Sequence, residues 1–106
     1  MPPKKKSRPL EVKLVIMNQK DWKNNKNLII KVKGLFRNSG WKVKQQTYSI
    51  KENLIELEIR AEHSGGLSAM VLTPFEVIEK VQLDNQKDHY QIRVIIDGDE
   101  YITRNL

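Results

Sequence analysis

Hydrophobic and polar residues alternate in the first apolar segment of the sequence. Leu10, Val12, Leu14 and Ile16 occupy every second position of residues 10–17. A period of two residues is typical of a strand with one buried face. We therefore predict the first strand over this segment.

Residues 22–38 have the spacing of a long amphipathic helix. Asp21 precedes them as a potential N-cap, and Ser39-Gly40 follows as a stop signal. On a wheel of about 100° per residue, the apolar residues fall within an arc of roughly 140°. They are Trp22, Leu28, Ile29, Val32, Leu35 and Phe36. Because the asparagine-rich start has weak helix propensity, the helix can also begin nearer Asn27.

The same helical wheel places basic residues on a neighbouring arc of roughly 80°. They are Lys23, Lys26, Lys33 and Arg37. The pattern predicts a helix with an apolar face toward the core and a basic face toward solvent.

Two alternating segments, joined by a turn at residues 51–53, predict an antiparallel hairpin. The first segment, residues 41–50, places Lys42 and Lys44 between apolar positions. The second, residues 54–60, alternates aliphatic with charged side chains. Such a sheet has one wet face and one apolar face, which a helix must cover.

Residues 67–83 allow two interpretations. Residues 73–76, Thr-Pro-Phe-Glu, match a capping box with proline at the first helical position, which favours a short helix. The apolar residues Phe75, Val77, Val81 and Leu83 also fit the period of a strand. We favour the helix.

The last part of the sequence predicts a second hairpin. Residues 90–96 form one strand, Asp97-Gly98 is a strong two-residue turn signal, and residues 100–103 form the other strand. The element order is β-α-β-β-(short α or β)-β-β, with antiparallel pairs. We predict a single α+β domain over residues 10–106, with one long helix packed across an antiparallel sheet.

Residues 1–9 have the composition of a disordered basic arm. They contain three of the four prolines together with Lys4, Lys5, Lys6 and Arg8. A basic string of this kind also fits a nuclear-import signal or a tail that contacts nucleic acid.

Composition narrows the classes of function. The 106 residues contain no cysteine, which excludes disulfide bonds, thiolate metal sites and cysteine nucleophiles. No apolar run approaches the roughly 18–20 residues of a membrane span. We expect an intracellular protein, cytoplasmic or nuclear.

The net charge of +6 is divided unevenly between the two halves. Residues 1–53 carry 14 basic and 3 acidic side chains, which give +11, and residues 54–106 carry 5 basic and 10 acidic ones, which give −5. A clustered cationic segment favours a polyanionic partner, because neutralising phosphates releases condensed counterions.

We predict that the basic groups form one surface for nucleic acid. Its members are Lys4, Lys5, Lys6 and Arg8 of the arm, Lys23, Lys26, Lys33 and Arg37 of the helix, and Lys42 and Lys44 of the next strand. Trp41 and Tyr48, with Trp22, are candidates for stacking on unpaired bases. The predicted function is a small non-enzymatic domain that binds the phosphate backbone, with RNA or single-stranded DNA favoured over duplex.

Two other functions fit the same charges. One is a protein-interaction module, or a subunit of a complex, that docks an acidic partner. The other is a basic patch that rests on anionic lipid.

Residues with catalytic or metal-binding chemistry have simpler structural explanations. His63 and His89 could form an acid–base pair, but nothing in the sequence fixes their distance. Asp97, Asp99 and Glu100 could bind a hard cation, although a hairpin turn accounts for them. We predict no catalytic residue, no metal site and no cofactor.

Overall fold

Seven strands and one short helix make up the part of the chain that the structure describes. The computed structural model describes residues 6–66, 69–84 and 87–106. The elements are β1 (Leu10–Ile16), α1 (Trp22–Asn25), β2 (Asn27–Phe36), β3 (Trp41–Lys51), β4 (Leu54–His63), β5 (Thr73–Gln82), β6 (Gln91–Ile96) and β7 (Asp99–Asn105). With 63% strand and 4% helix, the structure shows that the predicted α+β class is wrong.

The strands form two sheets. The three-stranded sheet has the order β1-β2-β5, and the four-stranded sheet has the order β3-β4-β6-β7. Neighbouring strands are antiparallel except β4 and β6, which are parallel. We expected antiparallel pairs throughout. No turn joins β4 to β6, because β5 lies between them in the chain and belongs to the other sheet, so local turn signals could not reveal their relative direction.

Inward-facing side chains of both sheets form one apolar core, so the molecule is a β-sandwich. The three-stranded sheet contributes Leu28, Ile30, Val32, Phe36 and Val77, and the four-stranded sheet contributes Ile55, Leu57, Ile59, Ile92 and Val94. Phe36 stacks on Phe75, with 4.4 Å between ring centroids. No helical layer is needed, because each sheet covers the apolar face of the other.

The long helix predicted over residues 22–38 is wrong. Only α1 is helical, and a left-handed residue, Lys26 (φ 55°), ends it. The following residues form β2, the central strand of its sheet. Their apolar spacing fits both periods, but β-branched side chains and Gly34 favour a strand, and β2 bonds to a neighbour on each side.

The short helix favoured within residues 67–83 is also wrong, because β5 occupies most of that range. Pro74 is accommodated since β5 is an edge strand, where a missing N–H costs little. The Thr73 hydroxyl donates to the carbonyl of Val71 at 3.0 Å. Leu67 and Ser68 lie outside the described residues.

The first strand and both hairpins are confirmed. β1 covers residues 10–16, β3 pairs with β4, and β6 pairs with β7. In the second hairpin, Asp97 (φ 52°) and Gly98 (φ 87°) both have positive φ, as a type I′ turn requires. A local turn signal was sufficient for these elements.

The strands of the sandwich run between a proximal end and a distal end. The proximal end contains residues 6–9, 37–40, 64–66, 69–72 and 97–98, and the distal end contains α1 and the turns at 52–53 and 87–90. Within the described ranges, no helix has the length and apolar composition needed to cross a bilayer.

Candidate binding surface

The segment at residues 6–9 packs against the proximal end of the four-stranded sheet. Ser7 is only 1% exposed, and its backbone N–H and hydroxyl donate to Oδ2 of Asp97 at 2.8 and 2.6 Å. Lys6 forms an ion pair of 3.0 Å with Asp99. This part of the predicted arm therefore has defined contacts with the sheet.

Arg8 and Arg37 meet at the same end. Nε of Arg37 donates to the backbone carbonyl of Arg8 at 2.7 Å. Both side chains act on Tyr101: burial raises the pKa of this phenol above 10.0, Asp99 and Asp97 add to the shift, and the two arginines oppose it. The two guanidinium groups therefore lie in one neighbourhood.

The four residues of the predicted helix face are dispersed. Lys23 and Lys26 lie at the distal end, where Nζ of Lys23 is 5.5 Å from the centroid of the Trp22 ring. Lys33 lies on the outer face of β2, and Arg37 follows β2 at the proximal end. The expected juxtaposition depended on a helix that does not form.

The basic residues predicted on the strand after the helix are paired within the chain. Glu62 contacts both of them, with distances of 3.6 Å to Lys42 and 3.8 Å to Lys44. These cations are therefore partly neutralised. Lys4 and Lys5 lie outside the described residues.

Most of the predicted stacking surface is buried. Trp22 and Trp41 belong to the core, and Trp41 packs against Phe36. Tyr48 is exposed, and its hydroxyl lies 3.5 Å from the backbone N–H of Gln82. Of these three rings, only Tyr48 is accessible to a base.

A cleft of about 510 Å³ opens at the proximal end, with Trp41 and His63 among its lining residues. Its basic lining residues are Lys6, Lys44 and Arg60. Each of them pairs with a carboxylate of the chain, at 3.0, 3.8 and 3.1 Å. The cleft therefore offers no excess of positive charge to an anionic ligand.

The two histidines do not form a catalytic pair, because His63 lies at the proximal end and His89 at the distal end. Nδ1 of His63 accepts the backbone N–H of Gly65 at 3.1 Å, so Nε2 carries the proton toward Asn38 Oδ1, also at 3.1 Å. A Cβ at Gly40 would collide with the imidazole ring. His63 is thus held in place as part of the turn structure.

The acidic residues considered as cation ligands have partners within the chain. Asp97 accepts a third hydrogen bond from the backbone N–H of Ala61 at 2.9 Å, and Asp99 pairs with a lysine. Glu100 lies 2.8 Å from Nε of Arg93. Among the described residues, no group of three or more His, Asp or Glu side chains is arranged to hold a metal ion.

The outer face of the three-stranded sheet assembles a surface that sequence reasoning missed. Register aligns the outward-facing residues of β1, β2 and β5 in rows. We call this surface the lysine face. It contains Lys13, Lys31, Lys33 and Lys80, the aliphatic residues Val15, Met17, Ile29 and Ile78, and Glu76.

Most lysines of this face have no carboxylate partner among the residues that the structure describes. The exception is Lys31, which lies 3.7 Å from Glu76. Lys13 and Lys33 are directly opposite each other on β1 and β2, and Glu76 is opposite Lys33 on β5. Lys13, on the edge strand, therefore has a like charge at its opposed position, and an anionic ligand would relieve that repulsion.

A shallow depression of about 370 Å³ lies between these two lysines. A bulge in β1, where Glu11 has φ 51°, shifts the register next to it. Leu35 and Pro74 line the depression beside two lysines, Lys13 and Lys33, and two glutamates, Glu11 and Glu76. The depression therefore combines apolar groups with charges of both signs.

Three of the four aliphatic residues of the lysine face, Val15, Met17 and Ile78, are exposed. Met17 and Ile78 are each about half exposed, at 51% and 48%. Val15 and Ile78 flank Lys31 in one row of the sheet. Exposed apolar groups rimmed by charge are typical of an interaction site.

A sequence signal for this face existed. In residues 27–36, Lys31 and Lys33 are two positions apart, so a period of two places both on the same side. The helical interpretation instead assigned Lys33 to the basic face and left Lys31 outside it.

Comparison of the chain with protein-family models, curated proteins and solved structures finds no match.

Proposed function

We propose that this domain is a non-enzymatic interaction module that docks an acidic protein on the lysine face. The observation that supports it is the combination, on one sheet face, of exposed aliphatic side chains with three lysines, Lys13, Lys33 and Lys80, that have no ion-pair partner among the described residues. An acidic protein surface supplies carboxylates for the lysines and apolar groups for the aliphatic residues. Such a partner would therefore make ionic and apolar contacts with the same face.

A nucleic-acid backbone is the second candidate, because Lys13 and Lys33 side by side also suit phosphates. It explains the charges but not the aliphatic residues. The preference for RNA or single-stranded DNA depended on exposed aromatic rings, and the burial of Trp22 and Trp41 removes most of that support. We therefore place the acidic protein first.

The test is a pull-down from nuclease-treated lysate with three forms of the full chain. Lys13→Glu/Lys80→Glu reverses charges at both edges of the lysine face. Lys20→Glu/Lys23→Glu makes the same change in net charge at the distal end. We expect the wild-type chain and the distal variant to capture the same acidic protein in stoichiometric amount, and the lysine-face variant to lose it.

Val15→Ser/Met17→Ser separates the two candidate ligands. It keeps every lysine, so binding to a phosphate backbone should be unchanged, whereas an acidic protein should bind roughly tenfold more weakly. Titration with single-stranded RNA and duplex DNA at two salt concentrations completes the test. Nucleic acid would be the ligand if the wild type and this variant bind it equally tightly and the affinity of both falls steeply with salt.

An intracellular site of action, in cytoplasm or nucleus, belongs to the same proposal. The absence of cysteine from the sequence is compatible with a reducing compartment. Fractionation of cells that express the full chain tests it, and recovery outside the cell would contradict it.

A further inference from the structure

An apolar tip is exposed at the proximal end of the sandwich. It consists of Met70, Val71 and Leu72, which directly precede β5 and are 88%, 58% and 50% exposed. Three consecutive apolar side chains in water are unfavourable for an isolated domain and typical of a contact surface. The tip lies outside the lysine face and outside the 510 Å³ cleft.

Hydrogen bonds on both sides hold the tip in place. Before it, the backbone N–H of Ser39 donates to the carbonyl of Ala69 at 3.1 Å, and the N–H of Ala69 donates to the Ser39 hydroxyl at 2.9 Å. After it, the Thr73 hydroxyl bonds to Val71. The exposed side chains are therefore presented by a tethered backbone.

Arg37 lies next to the tip, and Arg8 contacts Arg37 at the same end of the sandwich. Phe36 is opposite Thr73 at the last pair of β2 and β5, so the next residues, Arg37 and Leu72, are neighbours. Arg37 bonds to the carbonyl of Arg8. Neither arginine has a carboxylate within ion-pair distance among the described residues.

We propose that the proximal end docks on the surface of an anionic lipid bilayer. The tip side chains enter the boundary between headgroups and acyl chains, where they leave water, and Arg8 and Arg37 bind headgroup phosphates. In the sequence, Lys4 and Lys5 directly precede Lys6. The charge complementarity between arginines and phosphate headgroups is what favours a bilayer over a neutral protein groove.

This docking site is independent of the proposed function. The tip is at one end of the strands, whereas the lysine face is a broad side of the sandwich. A domain bound end-on to a bilayer would keep its lysine face open to an acidic protein. Failure of either proposal leaves the other standing.

The test is co-sedimentation of the full chain with vesicles of phosphatidylcholine alone or with phosphatidylserine added. We expect binding only when phosphatidylserine is present. Met70→Ser/Val71→Ser/Leu72→Ser should weaken it roughly tenfold or more. The matched control is Val15→Ser/Met17→Ser, which removes exposed apolar side chains from the lysine face and should bind as the wild type does.

A second readout reports insertion directly. In Met70→Trp the added indole should shift its emission to shorter wavelength on phosphatidylserine vesicles, while Trp22 and Trp41 are buried and contribute a constant background. No sedimentation at low salt, sedimentation without an emission shift, or equal weakening by the control variant would each overturn the proposal. Unfolding midpoints that match the wild type show that the exposed substitutions leave the fold intact.

Discussion

The two sheets differ in how many of their outward-facing charged side chains form ion pairs within the chain. On the four-stranded sheet, Glu62 pairs with two lysines, and Arg93 lies between two glutamates. On the three-stranded sheet, Lys31 pairs with Glu76, but Lys13 faces Lys33, and neither has a carboxylate within ion-pair distance among the described residues. Several charges of the four-stranded sheet are thus paired within the chain, whereas Lys13 and Lys33 remain available to a partner.

The difference comes from the residues at alternate positions of the strands. β4 carries Glu56, Glu58 and Glu62 toward solvent, and neighbouring strands supply basic residues at matching register. On β1 and β2, most of the charged residues at these positions are lysines, namely Lys13, Lys31 and Lys33. Net charge alone does not reveal which basic residues find a partner, because register decides it.

The largest effect on stability is expected at Asp97, whose carboxylate joins residues 6–9 to the four-stranded sheet. Asp97→Asn keeps a favourable Asn-Gly turn but replaces one acceptor oxygen with a donor, so a buried N–H or the Ser7 hydroxyl loses its partner. We expect the free energy of unfolding to fall by about 1–3 kcal/mol. Urea denaturation followed by tryptophan fluorescence measures it.

The control for this experiment is Asp99→Asn. Its carboxylate makes an exposed ion pair with Lys6, so the loss should stay below about 1 kcal/mol. Equal losses for the two variants would mean that the hydrogen bonds of Asp97 contribute little beyond surface charge.

An intermediate effect is expected for Arg93→Ala. The substitution leaves Glu56 and Glu100 without their common cation on the four-stranded sheet. Because the side chain is about one-third exposed, we expect a loss of only about 1 kcal/mol. Lys33→Ala, on the lysine face, should change stability by less than about 0.3 kcal/mol. If Lys33→Ala were the more costly variant in urea denaturation, the contrast between the sheets would be lost.

A pair of charge reversals, with smaller effects than Arg93→Ala, distinguishes the two sheets by the sign of the change in stability. Lys13→Glu places a carboxylate opposite Lys33 and should stabilise the protein by about 0.3–0.5 kcal/mol. Lys42→Glu places one opposite Glu62 and should destabilise it by a similar amount. Both changes should shrink in 0.5 M salt, since exposed pairs are screened. The same sign for both variants at low salt would contradict the assignment.

Local patterns were sufficient to predict the first strand, the two hairpins and the Asp97-Gly98 turn. Each depends on alternation within one segment or on a turn between adjacent strands. The candidate site was predicted less well. Of the lysine face, the prediction included Lys33 and left out Lys13, Lys31 and Lys80, and the predicted Lys42 and Lys44 have a carboxylate partner.

Local sequence patterns specify the alternating strands, their turns and the uneven distribution of charge. They leave residues 27–36 open between strand and helix, because the apolar spacing fits both, and pairing with β1 and β5 makes this segment a strand. The tertiary structure also decided which lysines share a face and which meet a glutamate. Those contacts join segments distant in the chain, and cross-strand register, which no local pattern contains, brings them together.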